Sequence, residues 1–352
     1  MKKAGLYIHI PFCKSKCLYC DFVSASGKSP AEIEAYVDSV IISMDKYRKT
    51  VGEYLFPTVF FGGGTPSYID SNHICRILKE ARKCFRISEN AEITLECNPE
   101  SLTEEKVKDY LSAGVNRFSL GLQSSDNSLL KEIGRVHTYN DFLKALSILR
   151  SLNVTNINAD IMLSLPSQTV KDAQKTVIEL INLDVPHLSV YSLKLEENTP
   201  LYKTTAPADE VLSAAMFEAT YNILTSKGYS RYEVSNFSKK GYECRHNINY
   251  WKRGEYLGLG TAAHSFLNEH RFDGAEYSED VSQDAEFEYI MLNLRLSEGL
   301  DLESFRKLFN CDFLLKYQKQ LKKYSGCFSL SSRNVFLNYR GFEIMNLILT
   351  DF

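Results

Sequence analysis

The sequence predicts an α/β protein built on a parallel sheet, with a small α+β module at its C-terminal end. Three observations carry this. Six short apolar runs bounded by Gly, Pro or Asn recur over the first two hundred residues. Segments of helical period stand between them. The alternation stops after about Pro207. Strands alternating with helices imply βαβ units. The pattern alone fits a doubly wound sheet and a barrel equally.

The six runs are residues 5–10, 57–61, 92–97, 115–121, 156–163 and 187–193, rich in Val, Ile, Phe and Leu as buried parallel strands are. The first helical stripe is Ile33, Val37, Val40, Met44 and Tyr47, preceded by Ser29-Pro30-Ala31-Glu32, a capping box with Pro at the first helical position. Ile74, Leu78, Ala81 and Phe85 form the second stripe. A helix beginning near Thr103 ends at Gly114, where a terminating glycine belongs. Phe142, Leu146, Leu149 and Leu152 form another stripe, and Ala173, Val177, Leu180 and Ile181 the last. A helix over 208–227 leads into a polar, aromatic-rich segment over 229–277. From Gln283 the chain reads helix, helix, short strand pair (328–330 with 335–337), helix, a winged-helix-like pattern. The expected division is 1–207, 208–282 and 283–352.

Composition bounds the function. Of 352 residues, 44% are hydrophobic and 24% charged, which excludes disordered and fibrous chains. The formal net charge of −3 argues against a nucleic-acid partner held by charge. No apolar run reaches the ~18 residues of a bilayer span. The opening apolar stretch is broken by His9 and stopped by Pro11, so it does not read as a signal peptide, and a cytoplasmic location is expected.

Nine cysteines are present. Six are scattered, as thiols are in a reducing compartment, and three are crowded as Cys13-x-x-x-Cys17-x-x-Cys20. Three thiolates within eight residues suit a soft metal or an iron–sulfur cluster. A four-iron cube held by three cysteines leaves one iron open. The alternatives are a zinc site completed by His9 or a distant ligand, and three unrelated thiols.

Residues 7–22, Tyr7-Ile8-His9-Ile10-Pro11-Phe12-Cys13-x-x-x-Cys17-x-Tyr19-Cys20-x-Phe22, resemble the cluster loop of the radical S-adenosylmethionine (SAM) superfamily. They are similar to the branch that contains oxygen-independent coproporphyrinogen III dehydrogenase and the HemW haem chaperones. The resemblance continues through Gly62-Gly63-Gly64-Thr65-Pro66-Ser67, Glu96-x-Asn98-Pro99-Glu100, Gly121-Leu122-Gln123-Ser124, Gly134-Arg135-x-His137 and Asp160-Ile161-Met162. It implies a partial (β/α)6 TIM-like barrel with a [4Fe–4S] cluster on Cys13, Cys17 and Cys20 and SAM across the strand ends. It also implies SAM contacts at Gly64, Thr65, Glu96, Gln123, Arg135 and Asp160, and an electron donor for the cluster. Tyr7 and Tyr19 suit packing on adenine, with ordinary core packing as the alternative.

Two departures separate members of this branch. The coproporphyrinogen enzymes carry a long segment before the cluster loop, whereas Cys13 stands almost at the start here. They also carry a further cysteine two residues past the third ligand, where this chain has Phe22. Both features match the haem chaperones. So does Cys244-Arg245-His246-Asn247-Ile248-Asn249-Tyr250-Trp251, which fits the HNxxYW signature associated with haem binding in them. His246 is the expected iron ligand, with His264 and Cys244 as alternatives, and a packed histidine is the non-functional reading. The resemblance thus implies haem and a haem-acceptor protein as partners. The competing functions are oxidative decarboxylation of coproporphyrinogen III and a zinc-stabilised binding module.

Overall fold

The computed structural model describes residues 1–273 and 277–352. Six strands grow from the six apolar runs: β1 (Lys2–Ile10), β2 (Tyr54–Gly63), β3 (Arg86–Cys97), β4 (Arg117–Gln123), β5 (Ile157–Leu163) and β6 (His187–Ser192). They pair in parallel in that order. A doubly wound sheet would reverse its strand order at a switch point. The sequential order here is barrel winding, and it resolves what periodicity could not. β1 and β6 do not pair with each other, so the barrel is partial.

Helices α1 (Pro30–Arg48), α2 (Ser71–Cys84), α3 (Glu104–Ala113), α4 (Asn127–Glu132), α5 (Tyr139–Ser151) and α6 (Val170–Asn182) fill the crossovers. The cap signals act as expected. Ser29 and Glu32 exchange the two hydrogen bonds of a capping box, and α3 stops at Gly114 with φ of 102°. On β1 the residues Ala4, Leu6, Ile8 and Ile10 are fully buried in the main apolar core with Val37, Val40 and Met44 of α1. The alternate residues Gly5, Tyr7 and His9 lie on the opposite face of the strand.

Residues past Pro207 do not stand apart from this sheet. They supply α7 (Glu210–Ser226), β7 (Ser230–Arg231), β8 (Asn236–Ser238), α8 (Arg245–Trp251), β9 (Tyr256–Leu259), β10 (His264–Leu267), β11 (His270–Asp273) and β12 (Tyr277–Asp280). β8 pairs antiparallel with β6 and carries β7, closing one edge. β9 pairs parallel with β1 and carries β10, β11 and β12, extending the other. These strands have two to four residues each, too few for an apolar period to show. Residues 274–276 of the aromatic-rich segment lie outside the described residues.

The C-terminal part is mostly helical: α9 (Ala285–Asn293), α10 (Leu302–Phe309), α11 (Phe313–Lys316), α12 (Gln318–Lys323), α13 (Tyr339–Glu343) and α14 (Met345–Leu349). The expected strand pair forms with Phe328 opposite Leu337 and Leu330 opposite Val335. A third strand, Leu300–Asp301, adds to it and has no sequence signal at two residues. This part has its own apolar cluster around Phe305, Phe313 and Ile290. Arg231 ties it to the barrel, with its guanidinium over Phe217 at 4.9 Å and over Phe342 at 4.1 Å. Among the described residues no helix is long and apolar enough to cross a membrane.

Candidate functional site

Functional loops of α/β barrels collect at the carboxyl ends of the strands, and a deep concavity lies there. A cavity of about 600 Å³ is lined by Cys13, Cys17, Cys20, Tyr19, Gly64, Thr65, Glu96, Gln123, Arg135 and Asp160, among others. Ten residues singled out from sequence, drawn from positions 13 to 160, meet in one site.

The loop after β1 is fastened at several points. Residues 12–13 pair with residues 25–26, and the Ala25 amide donates to the Pro11 carbonyl at 2.7 Å. The Leu18 amide donates to the Ile133 carbonyl, and Leu18 accepts from the Leu201 amide. The glycine loop after β2 lies against this segment. The Gly64 amide donates to Ile10 and the Thr65 amide to Phe12, at 2.9 and 2.8 Å. Gly63 has φ of 113°, which favours glycine. A methyl group on Gly64 would stand 2.9 Å from the Phe12 backbone and 3.0 Å from Cys13 Sγ. Only a bare backbone leaves that space open.

Polar groups surround the thiols. Thr65 Oγ1 donates to Cys13 Sγ, and Arg135 Nη1 donates to Cys17 Sγ, both at 3.5 Å. Arg135 also reaches Asn98 Oδ1 at 2.8 Å and the Gly121 carbonyl. Burial pushes the Cys13 and Cys20 thiols up, so loading a metal releases their protons. Gln123 has a positive φ of 73° at a bulge in β4, and its Oε1 accepts from Tyr191 Oη at 2.9 Å. Across the cavity, Asp160 accepts from Asn158 Nδ2 at 2.7 Å, and burial raises its carboxyl.

Glu96 accepts from the Gly63 amide at 3.2 Å. Burial, and then the charge of Asp160, push its carboxyl up to about 8, so it carries a proton at neutral pH. A carboxyl raised in the folded state contributes stability that is fully present below its ordinary value and is lost as pH rises through about 8. Protein free of cofactors therefore loses melting temperature between pH 5 and about 8.5 relative to Glu96→Gln. Parallel melting curves of the two proteins over that range would refute this assignment.

The donor set is one of soft thiols, the kind that iron–sulfur clusters take. Three soft thiols ring an open cavity. Among the described residues no three His, Cys, Asp or Glu side chains converge on a single ion position. His9 does not complete a zinc site, because its Nε2 bonds the Val23 carbonyl at 2.9 Å and its Nδ1 bonds Tyr7 Oη at 3.0 Å. Two expected residues lie elsewhere. Tyr7 is not among the lining residues of this cavity. It packs instead against Phe60 and His9. His246 is buried, with Nδ1 bonded to Thr58 Oγ1 and Nε2 to Tyr250 Oη, each at 2.9 Å. It stacks on Phe60, and burial, then Arg117, lower its imidazole to about 3. His246, the expected iron ligand, is thus a packed, neutral histidine in this structure.

Tyr191, Ser189 and Asn98 line the cavity without having been singled out as ligands. A signal for two of them was present. Asn158 and Asp160, then Ser189 and Tyr191, put polar or hydroxylated groups at every second position of strands otherwise apolar.

Comparison with known proteins places this geometry. Residues 7–180 match the Radical SAM superfamily, and residues 282–342 match the HemN C-terminal domain. The chain is 32% identical to heme chaperone HemW of Lactococcus lactis, over 100% of this chain and 97% of that protein. It is 38% identical to heme chaperone HemW of Escherichia coli, over 74% of this chain and 69% of that protein. Among solved structures it resembles coproporphyrinogen III oxidase (HemN) from Escherichia coli, with a TM-score of 0.86 at 18% identity over 99% of this chain and 89% of that one. That likeness is one of fold. With its barrel, its cysteine loop and these relatives, the chain belongs to the HemW family of the radical SAM superfamily.

Proposed function

We propose that this protein is a haem chaperone that holds a [4Fe–4S] cluster on Cys13, Cys17 and Cys20, binds SAM beside it, and passes haem to an acceptor protein. The observation that carries the reading is the single cavity shared by those three cysteines and by Tyr19, Gly64, Thr65, Glu96, Gln123, Arg135 and Asp160. Membership of the radical SAM superfamily implies the cluster and SAM. When bound, the cluster supplies one electron to SAM.

The chain's own groups then have defined tasks. Gly63 and Gly64 let the ligand approach the backbone. Neutral Glu96 offers a hydroxyl to sugar oxygens, and Asp160 accepts from them. Arg135, fixed by Asn98 and Gly121, takes a carboxylate. Tyr19 packs on the base. Phe22, 71% exposed at the cavity rim, stands where the coproporphyrinogen enzymes have another cysteine, which supports the chaperone reading. An external electron donor serves the cluster, the working compartment is the cytoplasm, and no nucleic acid takes part. The division at 207 and 282 belongs to the same reading, supported by the separate C-terminal apolar cluster.

Anaerobic reconstitution followed by iron, sulfide and haemin binding measurements tests the proposal. Iron and sulfide in cubane proportion, with a Soret shift on adding haemin, are the expected result. Iron and sulfide without a Soret shift, together with SAM-dependent decarboxylation of coproporphyrinogen III, would replace it with the oxidase function.

A further inference from the structure

A second concavity, of about 370 Å³, has Tyr7, Tyr250, Tyr256 and Phe266 in its wall. Its walls are aromatic. Tyr250 meets Tyr256 edge-on with ring centres 4.7 Å apart, and Tyr256 leans on Phe266 at 6.2 Å. Cations stand over one wall. Arg253 lies over the Phe266 ring at 4.7 Å and Arg271 at 5.7 Å. Glu288, itself buried, holds both guanidiniums side by side. Arg253 gives two further hydrogen bonds to Glu269 and is only 8% exposed at its side chain. Arg271 is 39% exposed at its side chain and also bonds Tyr256, which among the described residues leaves N–H groups of its five for a further partner.

His264 also lines this groove, at the start of β10. It is exposed, and among the described residues its ring makes no hydrogen bond. His246, 1% exposed and bonded at both ring nitrogens, is the reverse case. An imidazole that binds iron needs a free nitrogen with a lone pair. An aromatic slot with an exposed cation at one end and an open imidazole at its edge suits a flat ligand that carries both a metal and carboxylates. It does not suit an acyl chain, which uses neither.

We propose that this groove takes an iron porphyrin, with His264 as axial ligand and Arg271 pairing with a propionate. The proposal rests on the haem reading above and changes its site: Tyr250 of the HNxxYW signature forms a wall, while His246 supports that wall through its bond to Tyr250. His246 is then a positioning residue.

Anaerobic titration of the full chain with haemin, read at the Soret band, tests this. His264→Ala is expected to weaken haemin binding at least tenfold and to move the band, and added imidazole is expected to restore its position. His246→Gln, which keeps polar partners for Thr58 and Tyr250, is expected to keep the wild-type band and bind within threefold of wild type. Arg271→Gln is expected to weaken binding three- to tenfold with the band unmoved. A His264→Ala protein with the wild-type band and affinity overturns the proposal, and leaves the haem reading standing if wild type binds. The His264→Ala result with imidazole rescue decides the matter even where His246→Gln does not fold. Wild-type protein with no Soret shift overturns both.

Discussion

Cys17→Ala loses the iron–sulfur cluster. The thiol lies in the cavity wall between Cys13 and Cys20 and accepts a hydrogen bond from Arg135, a cation with fixed partners. The Arg135 cation beside this sulfur offsets part of the negative charge that a thiolate ligand carries. On the proposed ligand set, alanine would leave only two protein thiolates to hold a cluster. Iron and acid-labile sulfide after anaerobic reconstitution should fall by at least about tenfold, with loss of the broad visible absorption. The change removes few packing contacts, so the fold should persist by far-ultraviolet circular dichroism. Cys75→Ser, on α2 away from the cavity, should reconstitute like wild type. A full complement of iron and sulfide in Cys17→Ala would show that another group supplies the third ligand.

Glu92→Ala destabilises the apoprotein by about 1–3 kcal/mol, the range for leaving buried hydrogen-bonding groups without a partner. Glu92 is 5% exposed. Its carboxylate accepts the Arg245 and His246 amides at 3.0 and 3.1 Å, and the Cys244 thiol at 3.6 Å. It therefore caps the first turn of α8, where backbone N–H groups have no helical partner. It also faces Arg117, one of the largest fully buried side chains. Burial alone would lower the Arg117 guanidinium, but Cys244, Glu92, Tyr232 and Asp160 around it raise it, so it stays charged. Alanine orphans two amides at once and removes one of the acidic groups around Arg117. Urea unfolding of the apoprotein measures the loss. Glu92→Gln, which keeps the acceptor, should lose less. A loss below about 1 kcal/mol in the alanine variant would mean that other groups carry the cap and the charge.

The barrel was legible because its strands are long and buried on both faces, so apolar runs mark them. Strand order was not legible, since the same βαβ pattern builds wound sheets and barrels. The cysteine loop and Gly62–Gly64 were legible because their chemistry is local. Tyr7 and His246 show where locality fails. Each sits in a motif that points to a ligand, and each is held away from the cluster cavity by contacts with Phe60, far away in sequence. His246 is held by Thr58, 188 positions earlier, and no spacing rule can contain that contact. Glu92 and Arg117, which fix α8, read as ordinary charged residues near strand starts until the strands are laid side by side.

The place of β1 has a consequence for biogenesis. This strand is made long before β9, yet β9 is one of its two neighbours, with Gly5 opposite Tyr256 and Ile8 opposite Leu259. At 5–20 residues per second, a ribosome needs on the order of 10–50 s to bridge that gap of roughly 250 residues. Through that interval the nascent chain presents an unpaired, strongly apolar strand edge, the kind that seeds aggregation. Trigger-factor-like holdases would find their client in this early segment. Truncated translation products ending before β9 should be the ones that precipitate.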